Sequence, residues 1–279
     1  MNHSGTLYVV ATPIGNLQDI TLRALEILKT VDVIAAEDTR HTAQLLAHFG
    51  IQTKLAALHE HNERAAGEKL ITNLLKGGSV ALVSDAGTPC ISDPGSLLVK
   101  LAHEAGVKVV PIPGANAAIT ALSASGLLMT RFLFIGFLPA KSSHRKQVLE
   151  KISDVPATLV FYEAPHRILE CVADLTAILG ERQVTFAREL TKTFETIYSC
   201  RLGDALAWLQ ADPNQQRGEF VLLVEGAPDK DEQAISPEAQ RTLECLLAEL
   251  PLKQAVKLAA EISGVKKNTL YELALTLKP

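Results

Sequence analysis

Short apolar runs alternate with amphipathic segments through the first part of the chain. The runs at residues 6–11, 32–36, 54–58, 80–83 and 107–112 have the length and composition of buried strands. Helices are predicted at 44–49, 63–75, 95–105 and 117–123, after a first helix that Asp19 or Thr21 can cap. This alternation predicts a mainly parallel sheet through about residue 115.

The same kind of pattern restarts after Ser125. Strands are predicted at 132–137, 157–162, 184–188, 194–199 and 220–225, and helices at 142–151, 167–179 and 204–210. Fewer helices separate these strands, so this second α/β domain is predicted to contain more hairpins. We therefore expect a domain at 1–124, a second at 125–226, a charged linker at 227–236 and a helical segment at 237–279.

The helical segment has the pattern of a helix-turn-helix. Gly264 lies at the turn, and Thr269, Leu270 and Tyr271 lie on the second helix. Two helices packed around a glycine turn also occur as purely structural units, so the pattern alone leaves both interpretations open.

The stretch 80–95, VALVSDAGTPCISDPG, joins a predicted strand to a predicted helix through an exposed loop. Gly87 can take a positive φ there, and Asp93 and Pro94 are predicted to be the N-cap and first position of the helix. Loops at the carboxyl ends of parallel strands are where ligands bind in such sheets. The alternative is an ordinary strand-to-helix turn that binds nothing.

Two further loops have the same position relative to the sheet. TPIGNLQD follows the first strand, and PIPGANAA, with Pro111, Pro113 and Gly114, follows the fifth. The polar run 37–40, EDTR, ends the second strand, where charges are costly unless solvated or paired. The chain lacks a G-x-G-x-x-G after a strand and a Walker-type G-K-S/T, which argues against dinucleotide and P-loop sites.

Three runs in the second domain place reactive groups at strand ends: 161–167, FYEAPHR; 188–192, RELTK; and 218–220, GEF. Aromatic, basic and acidic side chains of this kind can stack on a base, contact phosphate or transfer a proton. The same residues are equally consistent with a salt-bridged domain interface.

The formal net charge of −4 disfavours a protein that coats nucleic acid by neutralising phosphates. Local basic surfaces remain, and ordinary solvated helix faces would look the same. The basic clusters are Lys141, His144, Arg145, Lys146 and Lys151, and, near the carboxyl end, Lys253, Lys257, Lys266 and Lys267.

Several other classes of protein are disfavoured. The four cysteines are widely spaced without a C-x-x-C pair, so we expect reduced thiols rather than disulfides or structural zinc. His59 and His61 flank Glu60 without an evident third ligand, which favours a surface role over a metal site. No apolar run has membrane-spanning length and the amino terminus does not resemble a signal peptide, so we expect a cytoplasmic protein.

Taken together, these runs resemble a known family. The motifs are, in order, VATPIGNLQDIT, AAEDTRHT, ALVSDAGTPCISDPG, PIPGANA, FIGFLP, FYEAPHR, ARELTKTFE and GEFVLLVEG. They closely resemble those of the ribosomal RNA small subunit methyltransferase I family, in the tetrapyrrole methylase superfamily, over essentially the whole chain. Where tetrapyrrole methylases tend to show Gly-Asp-Pro, this chain has Ser84-Asp85-Ala86-Gly87-Thr88-Pro89, which favours the ribosomal branch.

The resemblance implies an α/β fold of two tetrapyrrole methylase domains with a cofactor cleft between them, plus the small C-terminal helical segment. It implies S-adenosyl-L-methionine as cofactor, no metal, and usually a homodimer. The implied reaction is 2′-O-methylation of a cytidine ribose in the decoding region of 16S ribosomal RNA, as RNA or in the assembled small subunit. No contact with DNA or a membrane is expected.

By the same resemblance, cofactor contacts are expected at Pro13, Ser84, Asp85, Ala86, Gly87, Thr88, Ile91, Ser92, Ala115, Asn116, Ala117, Tyr162 and Pro165. The chemistry of proton transfer and charge stabilisation makes Glu37, Asp38, Glu163, His166, Glu189 and Lys192 the catalytic candidates. The candidate RNA contacts are Arg40, Arg167, Arg188, Lys192, Lys141, Arg145, Lys146, Lys266 and Lys267. A small-molecule methyltransferase of the tetrapyrrole type and a non-catalytic RNA-binding protein remain the rival interpretations.

Overall fold

The computed structural model describes residues 5–128, 130–228 and 237–277. The chain forms two compact units, one comprising 1–153 with 157–226 and the other comprising 154–156 with 227–279. Of the predicted linker, residues 229–236 lie outside the described residues. Within the described residues, no helix is both long enough and apolar enough to span a membrane.

The first sheet of the larger unit is entirely parallel, as the alternating pattern predicts. Its strands are β1 (Thr6–Val10), β2 (Val33–Ala36), β3 (Leu55–Ala57), β4 (Ser79–Val83) and β5 (Lys108–Ile112), in the order β3-β2-β4-β1-β5. Since β4, β1 and β5 are neighbours, the loops that follow them leave the same edge of the sheet side by side.

Helices cover both faces of this sheet. They are α1 (Leu22–Thr30), α2 (Thr39–His48), α3 (Glu63–Leu75) and α4 (Ser96–Glu104), whereas α5 (Ala117–Ala124) packs against Val160 and Val221 of the second sheet. One core packs Leu28 and Leu46 against β2 and β4, and a second core packs Leu74 and Leu98 against β1 and β4. Burial on both faces explains why the strands are almost continuously apolar.

Two predicted helix starts are wrong. Helix α2 begins at Thr39 rather than at residue 44, because the Asp38 side chain caps it by accepting a hydrogen bond from Arg40 N at 2.8 Å. Helix α4 has Gly95, not Asp93, at its N-cap position. Its cap comes from α3, where Glu63 Oε1 accepts from Gly95 N and Leu97 N, both at 2.9 Å. A cap supplied from another helix leaves no local sequence signal.

The second sheet is mixed. Its strands are β6 (Phe132–Phe137), β7 (Thr158–Glu163), β8 (Gln183–Arg188), β9 (Thr196–Arg201) and β10 (Phe220–Val224), in the order β6-β7-β10-β8-β9. Only the β6–β7 pair is parallel among these neighbours. Along the chain, α6 (Ser142–Ile152) follows β6, α7 (Ile168–Leu179) follows β7, and α8 (Leu202–Ala211) follows β9.

A buried ion pair joins α6 to α7. Arg145 is fully buried, and its Nε donates to Asp174 Oδ2 at 2.7 Å, while Ser142 Oγ donates to Asp174 Oδ1 at 3.0 Å. Although burial opposes ionisation, the hydrogen bonds from Arg145 and Ser142 hold the pKa of Asp174 below its usual range. The expectation that Arg145 contacts RNA is therefore wrong, because its guanidinium is enclosed and already paired.

The smaller unit is helical. It contains α9 (Pro237–Glu249), α10 (Leu252–Ser263) and α11 (Lys267–Leu277), which pack around Leu243, Val256 and Leu270. Helix α10 ends at Gly264 in a left-handed conformation, as expected for the predicted turn. Residues 278–279 of the predicted helical segment lie outside the described residues.

We predict that Arg145→Met lowers the free energy of unfolding by about 3 kcal/mol at neutral pH, because it leaves the buried Asp174 carboxylate with only Ser142 and the more distant Lys146 as partners. The loss should shrink as the pH falls through the carboxyl range, since a protonated Asp174 needs no cation. Denaturant unfolding, monitored by circular dichroism at several pH values, measures the loss of unfolding free energy and its dependence on pH. The exposed Lys151→Met on the same helix is the control, and an equal loss at low pH would contradict this explanation.

Candidate active site

Hydrogen bonds join the loops that follow β1, β4 and β5. Thr12 N donates to Gly87 O at 2.9 Å, and Gly87 N donates to Thr12 O at 3.0 Å. Thr12 Oγ1 donates to Ser84 O at 3.2 Å, and Thr88 Oγ1 donates to Ala115 O at 3.1 Å. The predicted ligand loops therefore form one continuous wall.

Gly87 is required in this wall by its backbone conformation. Its φ is +80°, in the left-handed region that favours glycine. A Cβ at this position would lie 3.3 Å from Ile14 Cγ2, so the two loops also approach closely. The conformation and the close approach together explain a glycine here.

The wall faces the second sheet across a cleft of about 320 Å³. Predicted cofactor residues that line it come from both parts of the larger unit. These are Ala86, Gly87, Thr88, Ile91, Ser92, Asn116, Ala117, Tyr162 and Pro165. The sequence motifs thus converge on one concave, largely apolar site, as ligand sites usually are.

Other lining residues were not predicted as cofactor contacts. Ala187 and Val221 lie inside β8 and β10 and are nearly fully buried, so in the sequence they resemble ordinary core positions. Glu219 and Phe220 belong to the GEF run, which could have indicated them. The remaining lining residues absent from the prediction are Ile14, Asp93, Phe137, Ala164 and Leu190.

Four predicted cofactor residues do not line this cleft. Pro13 and Asp85 line a neighbouring depression instead. Ser84 is buried, with its hydroxyl donating to Ala86 O at 3.3 Å, and Ala115 accepts from Thr88 through its carbonyl. Ser84 and Ala115 therefore support the loops, and their predicted contact with a cofactor has no basis in the cleft lining.

Tyr162 connects the second sheet to the first half of the unit. Its hydroxyl accepts a hydrogen bond from Ala118 N, in the first turn of α5, at 3.2 Å. The ring packs edge-on against Phe134 and Phe137, with centroid distances of 5.0 and 5.7 Å. Burial raises the pKa of the Tyr162 hydroxyl, so it acts as a neutral hydrogen-bonding group.

Carboxyl groups gather where β2 and β4 end. Burial, followed by the charge of Asp85, raises the pKa of Asp93 despite a hydrogen bond with Ser84. Burial and the charges of Asp85 and Asp93 also raise the pKa of Glu37, although Asp85 N donates to its carboxylate. Asp93 lines the cleft, so a cationic ligand there would relieve this unfavourable crowding of negative charge.

Glu163, which lines the cleft, forms an ion pair with Arg167. The Glu163 side chain is fully buried, and its Oε1 lies 3.1 Å from Arg167 Nε and accepts from Ala164 N at 2.8 Å. The Arg167 guanidinium also donates to Leu138 O. The pair therefore braces the loop after β7. Glu163 lines the cleft, so its catalytic role stays a prediction, whereas the Arg167 guanidinium is already engaged by Glu163 and Leu138 O, which does not favour an RNA contact.

Lys192 is held at the rim of the cleft by two carboxylates. Its Nζ donates to Glu189 Oε1 at 2.9 Å and to Glu219 Oε2 at 2.8 Å. Burial alone would lower the pKa of Lys192, but these two hydrogen bonds raise it above the usual value. Lys192 is consequently a fixed cation rather than a base.

The backbone that carries Lys192 is strained. Glu189 and Thr191 have φ values of +50° and +63°, which are uncommon for residues other than glycine. A Cβ on Gly15 would lie 2.5 Å from Lys192 Cγ, so the lysine stem lies directly on the loop after β1. Strain of this kind is typical of ligand-binding turns.

The remaining predicted residues are dispersed. Arg40 is 88% exposed and is held by Asp38 at 2.7 Å, which lowers the pKa of Asp38. The Arg188 guanidinium donates to Arg217 O, Phe194 O and Thr196 Oγ1, so it stabilises its own turn. His166 and Lys141 are exposed, and Lys146 lies 3.4 Å from Asp174. In the helical unit, Lys266 lies between α10 and α11, and Lys267 is the first residue of α11.

Comparison with known proteins shows which family the chain belongs to. The model of the Tetrapyrrole (Corrin/Porphyrin) Methylases matches residues 6–206, and that of the RsmI C-terminal HTH domain matches 233–278. A protein of Escherichia coli O157:H7 named "Ribosomal RNA small subunit methyltransferase I" is 58% identical, covering 98% of this chain and 96% of that protein. The chain belongs to the ribosomal RNA small subunit methyltransferase I family of tetrapyrrole methylases.

Relatives with the same name support this assignment. The protein from Pseudomonas aeruginosa is 58% identical, covering 98% of this chain and 97% of its own. The protein from Haemophilus influenzae is 55% identical over the same shares. The resemblance inferred from the motifs is therefore confirmed.

Solved structures confirm the tetrapyrrole methylase fold. Uroporphyrin-III-C-methyltransferase from Thermus thermophilus has a TM-score of 0.54 at 21% identity, covering 79% of this chain and 94% of that one. Cobalt precorrin-4 methyltransferase has a TM-score of 0.59 at 16% identity, with the same coverage. A further Thermus structure, with a TM-score of 0.55 at 19% identity over 79% of this chain and 97% of its own, is complexed with S-adenyl homocysteine.

His59 and His61 remain near each other, with ring centroids 6.1 Å apart. Among the residues that the structure describes, no group of three or more histidine, cysteine, aspartate or glutamate side chains is arranged to hold a metal ion. Within the described residues, His59 and His61 therefore lack a third side chain with which they could bind a metal ion.

We predict that Asp93→Asn raises Tm at pH about 7.5 by roughly 1–2 °C, because a partly buried carboxylate beside Asp85 is removed. The folded-state pKa of Asp93 is raised, so the wild type gains stability as the pH falls through the carboxyl range. The difference in Tm between Asp93→Asn and the wild type should therefore become smaller at low pH. Thermal melts over a pH series test this. Glu68→Gln, an exposed change on α3, is the control; a difference that widens at low pH would contradict the prediction.

Proposed function

We propose that this chain uses S-adenosyl-L-methionine to methylate the ribose 2′-hydroxyl of a cytidine in the decoding region of 16S ribosomal RNA. The observation that carries the proposal is its 58% identity, over nearly the full length, to proteins named as methyltransferases of small-subunit ribosomal RNA. The cleft between the two sheets supplies a site of suitable size and chemistry.

The cleft fits the cofactor chemically. Ile14, Leu190 and Val221 offer apolar surface for the adenosine, and Tyr162 adds an aromatic face. Asp93 offers a desolvated carboxylate, which suits a ligand that carries both a sulfonium and an ammonium group. When bound, the cofactor supplies an electrophilic methyl group.

The protein's own contribution is to orient the acceptor and to manage its proton. Lys192 remains protonated between Glu189 and Glu219, so it can hold phosphate or stabilise negative charge that develops on the ribose oxygen. Of the two carboxyl groups that follow β2, Glu37 is the better candidate for the base, because its pKa is raised, although it lines neither the cleft nor the neighbouring depression. Asp38 is less suitable, because its pair with Arg40 lowers its pKa.

We also propose that the remaining exposed basic residues contact the RNA. Arg40, Lys141, Lys146, Lys266 and Lys267 stay in this set, whereas Arg145, Arg167 and Arg188 leave it because their guanidinium groups are engaged within the protein. The substrate is the RNA alone or the assembled small subunit, in the cytoplasm. We further propose a homodimer, for which Phe132 and Leu133, exposed on edge strand β6, offer apolar contact area.

The decisive experiment incubates the protein with methyl-labelled S-adenosylmethionine and small subunits from cells that lack this activity. Alkaline hydrolysis leaves the bond after a 2′-O-methylated nucleotide intact, so label should appear in a dinucleotide that begins with cytidine. Label on a base, or on a tetrapyrrole precursor offered in parallel, would overturn the proposal. RNA binding without any label would favour the non-catalytic alternative.

We predict that Lys192→Met lowers kcat by about 100-fold or more with little change in cofactor affinity, because it removes a preorganised cation. Lys192→Arg should retain part of the rate. The pKa of Lys192 is raised, so Lys192 should lose its proton only at a pH above the ordinary range of lysine pKa values. The wild-type rate should therefore not fall for this reason at lower pH. Single-turnover methylation and calorimetry measure the two effects; Lys100→Met, on α4, is the matched control. An unchanged kcat in folded Lys192→Met would exclude Lys192 from the mechanism.

A further inference from the structure

A second depression adjoins the cleft across the Thr12–Gly87 bridge. It has a volume of about 250 Å³ and is lined by Thr12, Pro13, Gly15, Leu17, His41, Gln44, Leu45 and Asp85. Neighbouring residues of the shared loops line different cavities, since Ile14 and Ala86 line the cleft whereas Pro13 and Asp85 line the depression. A ligand in one cavity therefore lies beside a ligand in the other.

The lining of the depression combines apolar surfaces with a few polar groups. Pro13, Leu17 and Leu45 provide the apolar part. His41, Gln44 and Leu45 lie at positions i, i+3 and i+4 of α2, so they share one face of that helix. Enzymes that modify single nucleotides hold the extruded base between apolar or aromatic side chains and recognise its edge by hydrogen bonds. The depression offers both elements.

Asp85 is fixed in the depression by its neighbours. Its Oδ1 accepts from Asp38 N at 3.0 Å, and its own N–H donates to the Glu37 carboxylate. An ionised carboxylate can only accept hydrogen bonds, and its second oxygen is available in addition to the one that Asp38 uses. Cytosine presents an exocyclic amino donor where uracil presents a carbonyl acceptor. A fixed carboxylate would therefore favour cytosine and repel uracil.

We propose that this depression receives the base of the target nucleotide, and that Asp85 selects cytosine over uracil by accepting from the exocyclic amino group. The inference rests on the proposed function, because it assumes a nucleotide as the methyl acceptor. It reassigns Asp85 from the cofactor to the substrate. His41 and Gln44 complete the polar edge, and the Asp38–Arg40 pair lies next to them at the start of α2.

The test compares small subunits reconstituted with cytidine or with uridine at the target position. Asp85→Asn is nearly isosteric, and its amide oxygen can still accept from Asp38 N while its NH₂ group donates to the uracil carbonyl. We expect wild type to prefer cytidine by at least about tenfold in kcat/KM, a ratio that falls to about one or below in Asp85→Asn. Calorimetry should show cofactor affinity within about twofold of wild type.

Two further variants separate base binding from folding. His41→Ala and Gln44→Ala should each lower kcat/KM on the cytidine substrate by about tenfold with cofactor affinity retained. His48→Ala, an exposed histidine two turns further along α2 and outside the depression, is the matched control and should behave as wild type.

Three results would overturn the inference. One is a cytidine-to-uridine ratio that Asp85→Asn leaves unchanged; another is a loss of cofactor affinity in that variant, which would return Asp85 to the cofactor site. The third is wild-type kinetics for both His41→Ala and Gln44→Ala. If wild type methylates neither subunit, the proposed function itself fails, which distinguishes that result from a failure of base selection.

Discussion

The cleft depends on one short backbone bridge, between Thr12 and Gly87. Loops that leave adjacent parallel strands carry backbone polar groups without a sheet partner, and this bridge pairs two of them across the edge of the sheet. The two loops that it joins line two cavities, because Ile14 and Ala86 lie in the cleft and their neighbours Pro13 and Asp85 lie in the depression. One bridge thus gives a cofactor-sized cleft and a smaller depression that share a wall.

Charge is distributed unequally around this wall. Asp93 and Glu37 are carboxyl groups that burial makes harder to ionise, and they lie on the side of the first sheet. Lys192 lies at the rim of the cleft against the loop after β1, held protonated by Glu189 and Glu219 on a strained turn. The arrangement suits a cationic ligand in the cleft and an anionic or developing-anionic group at its rim.

Several arginines that resemble nucleic-acid contacts serve the fold instead. Arg145 pairs with Asp174 between two helices, Arg167 pairs with Glu163 at the cleft, and Arg188 holds a turn through backbone carbonyls. A planar guanidinium with five donors suits such sites, because one side chain can satisfy a carboxylate and carbonyl groups together. Contact with RNA in a chain of net charge −4 would therefore fall to a small set of exposed cations.

The sequence by itself determined the strand and helix order, the parallel first sheet and the loops of the cleft, because apolar periodicity and turn residues act locally. The family motifs indicated the fold and the cofactor loops. Only the tertiary structure decided that Glu63 caps α4, that Asp85 lines the depression rather than the cleft, and that Arg145 is enclosed. These outcomes depend on residues about 30 or more positions apart meeting in space, and local patterns carry no information about such contacts.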